Sequence, residues 1–243
     1  SGFDTAELYG VILPDTVEYI GMTLEKYDRT LTEDEQYGIF NDSSTIEFLV
    51  GNGIKVVGYY GVSFAPHLYK VEFPNCEEIM CSGFYESLLV GAHFPKVKKV
   101  DCEAFSGCTV LREIYLPECE EIGANAFDFG TIAGLNSGVL HIIYAPKVNY
   151  MAAQECADGI LTVDSSGATE RLFANSVRLK EVDLPLIQTI GKNAFFNSAL
   201  KNVQLSKIEY IYDLPAGIWI HNSGRIEPLY SPCYHPVNIE LTL

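Results

Sequence analysis

The chain repeats itself. Residues 111–127, LREIYLPECEEIGANAF, set apolar side chains at Leu111, Ile114 and Leu116, follow them with Pro117, and add Cys119, Ile122, Ala126 and Phe127. Residues 179–195, LKEVDLPLIQTIGKNAF, refill the same slots with Leu179, Val182, Leu184, Pro185, Ile187, Ile190, Ala194 and Phe195. Residues 68–84, LYKVEFPNCEEIMCSGF, do so with Leu68, Val71, Phe73, Pro74, Cys76, Ile79 and Phe84. A repeat constrains the fold more than any other signal, because one unit cannot bury its own apolar side and must stack on its neighbours.

The chemistry of the unit predicts its shape. Leu-x-x-Ile-x-Leu puts Ile114 and Leu116 on one face of a short strand. Pro117 cannot donate to a sheet ladder, so the strand ends there and the chain turns. A second short extended segment buries Cys119 and Ile122, and Gly-x-Asn-Ala-Phe predicts a tight helical corner with Phe127 plugging the interior. Stacked, such coils form a solenoid in which Phe84, Phe105, Phe127 and Phe195 share one interior column. At about 4.8 Å per coil, about nine coils span roughly 45 Å.

In order along the chain, residues 8–20 form the first coil, and 21–44 interrupt it as an insertion whose Thr32 opens a capped helical turn. Residues 46–64 are a degenerate second coil, 68–84 the third, and 89–105 a fourth that is looser at its start. The fifth, 111–127, is followed by a Gly-rich insertion at 128–138. A sixth coil begins at Leu140. The seventh, 160–173, is the weakest, with a strand near Leu161 to Val163 and Phe173 as its plug. Residues 179–195 and 200–211 complete the repeats. Beyond Tyr212, Trp219, the prolines Pro228, Pro232 and Pro236 and a closing VNIELTL read as a C-terminal cap over 212–243, so that 1–243 is one domain with repeats over 8–211. Pro74, Pro95 and Pro117 stand 21 and 22 residues apart, a spacing that fits leucine-rich repeats.

Leu-x-x-Ile-x-Leu-Pro-x-x-x-x-Ile-Gly-x-x-Ala-Phe, with Phe105-Ser-Gly-Cys108-Thr-Val-Leu111 joining one coil to the next, resembles the BspA-type leucine-rich repeat family. The expected fold is an α/β-type solenoid, mostly β: a right-handed leucine-rich repeat superhelix of about nine coils with a C-terminal cap. The resemblance implies a cell-surface or secreted protein of the kind found in host-associated bacteria and some protists, linked with adhesion to matrix or to other cells. It supplies no catalytic residues to carry over.

Composition narrows the partners. The formal net charge is −16 and the pI about 4.6, a field that repels nucleic acid and anionic membrane. Hydrophobic residues make up 48% and charged residues 20%, so a folded core is expected rather than disorder. No uncharged apolar run approaches the roughly 18 residues of a membrane span. The chain opens Ser1-Gly2, so the lack of a signal-like segment carries no weight. A monomer without membrane insertion is expected. The cysteines number seven, with no C-x-x-C pair. Cys76 and Cys119 take interior slots, whereas Cys81 and Cys102 hold one slot in adjacent coils, close enough for a disulfide.

No motif for hydrolysis, phosphate binding or zinc chemistry occurs, and the five histidines lack metal-ligand spacing. No cofactor and no metal are expected; Cys233-Tyr-His235 reads as part of the cap, and the sequon Asn41-Asp-Ser43 as a chance triplet. The outward strand positions carry the binding hypothesis. Glu72, His93, Tyr115, Tyr144, Asp183 and Gln204 occur one per coil and align as a stripe on the exposed sheet. Tyr115 and Tyr144 are its best anchors, since tyrosine joins apolar area to a polar tip. The competing reading is a row of solvated sheet residues. Glu77-Glu78, Lys98-Lys99 and Glu120-Glu121 repeat in register as a structural charge ladder. The function expected is non-catalytic: an extracellular or cell-surface domain binding a protein or glycan on host or other cells. The alternative is a rigid spacer within a larger surface protein.

Overall fold

Each repeat folds as two very short strands separated by the proline turn. The computed structural model describes residues 8–22, 45–123, 125–127, 140, 142–148, 150–151, 178–179, 181–183, 186, 189–190, 202–204, 210–211 and 219–221. Three-residue strands open the coils: β1 (Gly10–Ile12), β3 (Phe48–Val50), β5 (Lys70–Glu72), β7 (Gly91–His93), β9 (Glu113–Tyr115), β11 (Ile142–Tyr144), β13 (Glu181–Asp183), β15 (Asn202–Gln204) and β17 (Trp219–His221). Two-residue strands follow: β2 (Tyr19–Ile20), β4 (Val56–Val57), β6 (Glu78–Ile79), β8 (Lys99–Val100), β10 (Glu121–Ile122), β12 (Tyr150–Met151), β14 (Thr189–Ile190) and β16 (Tyr210–Ile211). Odd strands pair only with odd strands and even with even, always in parallel. That is the topology of a coil that advances by one strand spacing per turn.

The turn between the two strands does what its proline predicts. Cys76 N–H donates to the Phe73 carbonyl, Val97 N–H to Phe94 and Cys119 N–H to Leu116. Each closes a four-residue turn with Pro74, Pro95 or Pro117 at its second position, where a fixed φ costs nothing. The following strand buries one residue of two: Ile79, Val100 and Ile122 are buried, while Glu78, Lys99 and Glu121 lie half-exposed in register with one another. The predicted charge ladder is therefore in place.

The corner differs from expectation. No helix occurs among the described residues, and the Gly-x-Asn-Ala-Phe segment is a turn. Its start holds a left-handed residue in four successive coils: Tyr60, Ser82, Glu103 and Asn125 all have φ between 51° and 56°. A right-handed helix cannot run through such a position. The corners instead bond to each other, with Ser82 N–H donating to the Cys102 carbonyl, Phe84 N–H to Ala104 and Phe105 N–H to Ala126. The corners of successive coils are thus tied together as the strands are, and the backbone groups that a helix would have paired internally are satisfied between coils.

The core is one continuous file. Phe84 and Phe105 stack with centroids 5.1 Å apart and planes at 8°, and Phe105 and Phe127 at 5.2 Å and 9°. The predicted column holds for these three; Phe195 lies outside the described residues. Cys76, Cys108 and Cys119 are buried beside them, each thiol donating to a backbone carbonyl, at Glu78, Phe84 and Glu121 respectively. Burial pushes all three thiols up to about 12.

Two expectations about the far half change. Ile142, Ile143 and Tyr144 pair directly with Glu181, Val182 and Asp183. The three-residue ladder therefore passes from β11 to β13 without a strand from 161–163 between them; that weakest segment lies outside the described residues. Trp219–His221, expected in the cap, instead pairs with Asn202–Gln204 and carries the ladder past residue 211. Its signal was hidden because the segment lacks the leucine and proline that flank most of the other three-residue strands. The rest of 212–243 is outside the described residues, as are the insertions at 23–44 and 128–138.

Candidate functional site

The exposed face of the odd strands brings the predicted stripe together. His93 stands opposite Tyr115 in the register, Tyr115 opposite Tyr144, Tyr144 opposite Asp183, and Asp183 opposite Gln204. His221 extends the same row beyond Gln204. The side chains of Asp183, Gln204 and His221 lie outside the described residues. Glu72 occupies the same row on β5, opposite Val50, with its carboxylate in an ion pair with Lys70. That hydrogen bond and charge hold the Lys70 ammonium above the ordinary lysine range.

The aromatic centre is ordered. Tyr115 and Tyr144 stack at 5.2 Å with planes at 10°, and the His93 ring lies 6.0 Å from Tyr115 at 47°. Both tyrosines stay well exposed, at 43% and 37%. His93 Nε2 is 2.9 Å from Glu113 Oε1 on the next strand. Because the rings lie face to face along the ladder, the stack offers the outside its ring edges and hydroxyl tips rather than a broad ring face.

The odd-strand face is also split. β1, β3 and β5 form one sheet, and β7 begins a second, so β5 and β7 are not paired. The chain is joined just upstream, where Val90 N–H donates to the Tyr69 carbonyl at 3.2 Å. Downstream, the residue after each strand normally donates to the third residue of the next coil's strand: Gly51 to Glu72, Phe94 to Tyr115, Leu116 to Tyr144. Among the described residues, Phe73 N–H makes no such bond to His93. The two strands part like a fork and leave a cleft of about 550 Å³. In the interior slots, Ala92 stands where the neighbouring coils carry Val71, Ile114 and Ile143. Val71 is left 8% exposed, where Ala92 and Ile114 are at 0% and 1%.

Sequence reasoning missed this cleft, although the looser start of the fourth coil was its trace. It also missed a row of exposed apolar side chains at the first coils, Tyr9, Ile12 and Phe48. Phe48 lies across Gly10, so that a Cβ there would collide with its ring. On the opposite face, Cys81 and Cys102 stand two residues past the paired Ile79 and Val100, with sulfurs 3.0 Å apart, so the disulfide that their shared slot would allow is not formed between them. Both are buried, packed against Tyr59 and the half-buried Met22 and Met80. No group of three or more potential metal ligands occurs among the described residues. No helix of the described residues is long and apolar enough to cross a membrane.

Parallel ladders on two faces, stacked turns at the corner and a file of phenylalanines inside define a leucine-rich repeat solenoid. The model of the BspA-type leucine-rich repeat region matches residues 36–139 and 165–214 in six copies, more than half of the chain, and the protein belongs to that family. Among solved structures, a leucine-rich repeat protein from Bacteroides ovatus matches with a TM-score of 0.59 at 17% identity, over 90% of this chain and 53% of its own. The chain thus spans about half the length of that protein. A leucine-rich cell surface protein from Faecalibacterium prausnitzii (TM-score 0.33, 18% identity, 70% of this chain and 61% of that one) is a more distant match. So is the pneumococcal vaccine antigen PcpA (0.36, 15%, 88% and 71%). No curated protein matches the sequence.

Proposed function

We propose that the protein is an extracellular or surface-displayed recognition domain that binds a protein partner through the exposed face of its odd strands. The observation that carries this reading is the stacked, half-exposed pair Tyr115 and Tyr144 at the middle of the ladder. The fold requires no aromatic there, since these slots face away from the core and hold Glu72 and His93 in other coils. Aromatic side chains held rigid on a sheet bring contact area at low cost in entropy, and they are enriched at interfaces. A glycan is the weaker occupant. Sugars pack their apolar side on open aromatic faces, and here the facing sides of the two rings are spent on each other. Membership of the BspA-type leucine-rich repeat family supports an extracellular setting.

The test is capture of partners from cell-surface and matrix extracts by the immobilised chain, with extracts pretreated by protease or by periodate. Protease should remove the captured partner and periodate should not. Loss on periodate alone would replace the protein partner with a glycan.

A further inference from the structure

The fork between β5 and β7 is a built feature that the aromatic stripe does not explain. Its floor is apolar, formed by the partly uncovered Val71 and by Phe73. One bank carries Glu72 and the other Glu113, and Gly91 between them contributes no side chain. A Cβ at Gly91 would meet the His93 ring at 3.4 Å and a Glu113 oxygen at 3.5 Å, which are ordinary contacts. The glycine is therefore not demanded by backbone crowding or by a left-handed φ. Its effect is to leave room.

We infer that this cleft receives a basic side chain, arginine above lysine, from the partner protein, with the alkyl stem over Val71 and the cationic head between the carboxylates of Glu72 and Glu113. The charges agree. Two carboxylates face one fixed cation, Lys70, with the His93 ring at Glu113 the other neighbour, and the chain as a whole carries −16, so a basic partner is drawn in and an acidic one repelled. Lys70 already shows that a cation is accepted here, since its ammonium lies on Glu72. It is exposed and its ion pair is weak by nature, so an incoming guanidinium can displace it. Arginine is favoured because its planar head pairs with carboxylates in two hydrogen bonds and stacks on aromatic rings, and Tyr69 stands 46% exposed at the upstream end of the slot.

This inference rests on the protein-partner reading but is tested without the natural partner, so the two can fail separately. The full chain is titrated with a blocked pentapeptide, acetyl-Gly-Ser-Arg-Ser-Gly-amide, and with its uncharged citrulline counterpart, following the backbone amide signal of Gly91 by NMR. The arginine peptide should bind about fivefold or more tighter at low salt and lose that advantage near 0.5 M salt. Glu72→Gln with Glu113→Gln should bring the two peptides to within about twofold of each other, an effect of removing charge alone. Gly91→Leu should fill the cleft and weaken arginine binding about tenfold with the circular dichroism unchanged. Equal binding of both peptides, a response away from Gly91, or indifference to both variants overturns the proposal. So does a neutral oligosaccharide that shifts the Gly91 signal more strongly than the arginine peptide.

Discussion

Two columns of rings run along this solenoid, and they differ only in which way they face. Inside, Phe84, Phe105 and Phe127 stack at 5.1 and 5.2 Å; outside, Tyr115 and Tyr144 stack at 5.2 Å. The spacing is common because both are set by the coil advance. The energetics are not. Each phenylalanine is fully buried and fills volume that nothing else can fill, so the fold accounts for its presence. The tyrosines stay half-exposed on the outer face, and the fold would tolerate other residues in their place. Geometry alone cannot tell a structural ring from a recognition ring, but the cost of removing it can.

The largest difference should appear on truncation inside. Phe105→Ala removes a ring that packs against Phe84, Phe94 and Phe127, and should cost about 3–5 kcal/mol in urea unfolding. A loss under about 1 kcal/mol would mean that the column is not the core. Outside, Tyr115→Ala with Tyr144→Ala should weaken a verified partner by about 2 kcal/mol or more.

Alkali should separate the two regions as well. Cys76, Cys108 and Cys119 have folded thiols pushed up to about 12 from an ordinary value of 9.0, chiefly by burial. The unfolded chain then holds fewer protons than the native one between pH 9 and 12. Their contribution is whole below pH 9 and is lost as pH rises toward 12, with a slope of roughly 1.4 kcal/mol per pH unit per thiol. Unfolding midpoints that stay flat across that window would show that these thiols are not buried. Serine at Cys119 should shallow the slope. The smallest effect expected is on stability when the tyrosine stack is removed, about 1 kcal/mol.

Much of this was readable because the repeat turns sequence distance into spatial register. Apolar slots at fixed offsets gave the strands, the proline turns, the interior column and the register of the row from His93 through Gln204. What stayed hidden depends on comparisons between coils or on backbone that periodicity does not encode. The corner resembles a helix in composition, yet a left-handed residue at Ser82, Glu103 and Asn125 excludes one, and none of those three is the glycine that would have announced it. The cleft lies where the β5 and β7 strands do not pair, a break that the repeat pattern does not mark. The strand at Trp219–His221 was masked by the loss of its flanking leucine and proline.

The central claim is that the odd-strand face is built for recognition and not for holding the fold. The most direct test is one variant read in two ways: Tyr115→Ala with Tyr144→Ala, measured by urea unfolding and by capture of the surface partner. The account predicts a native circular dichroism spectrum, stability within about 1.5 kcal/mol of the parent, and loss of the captured partner. A variant that unfolds, or one that folds and captures its partner undiminished, contradicts it.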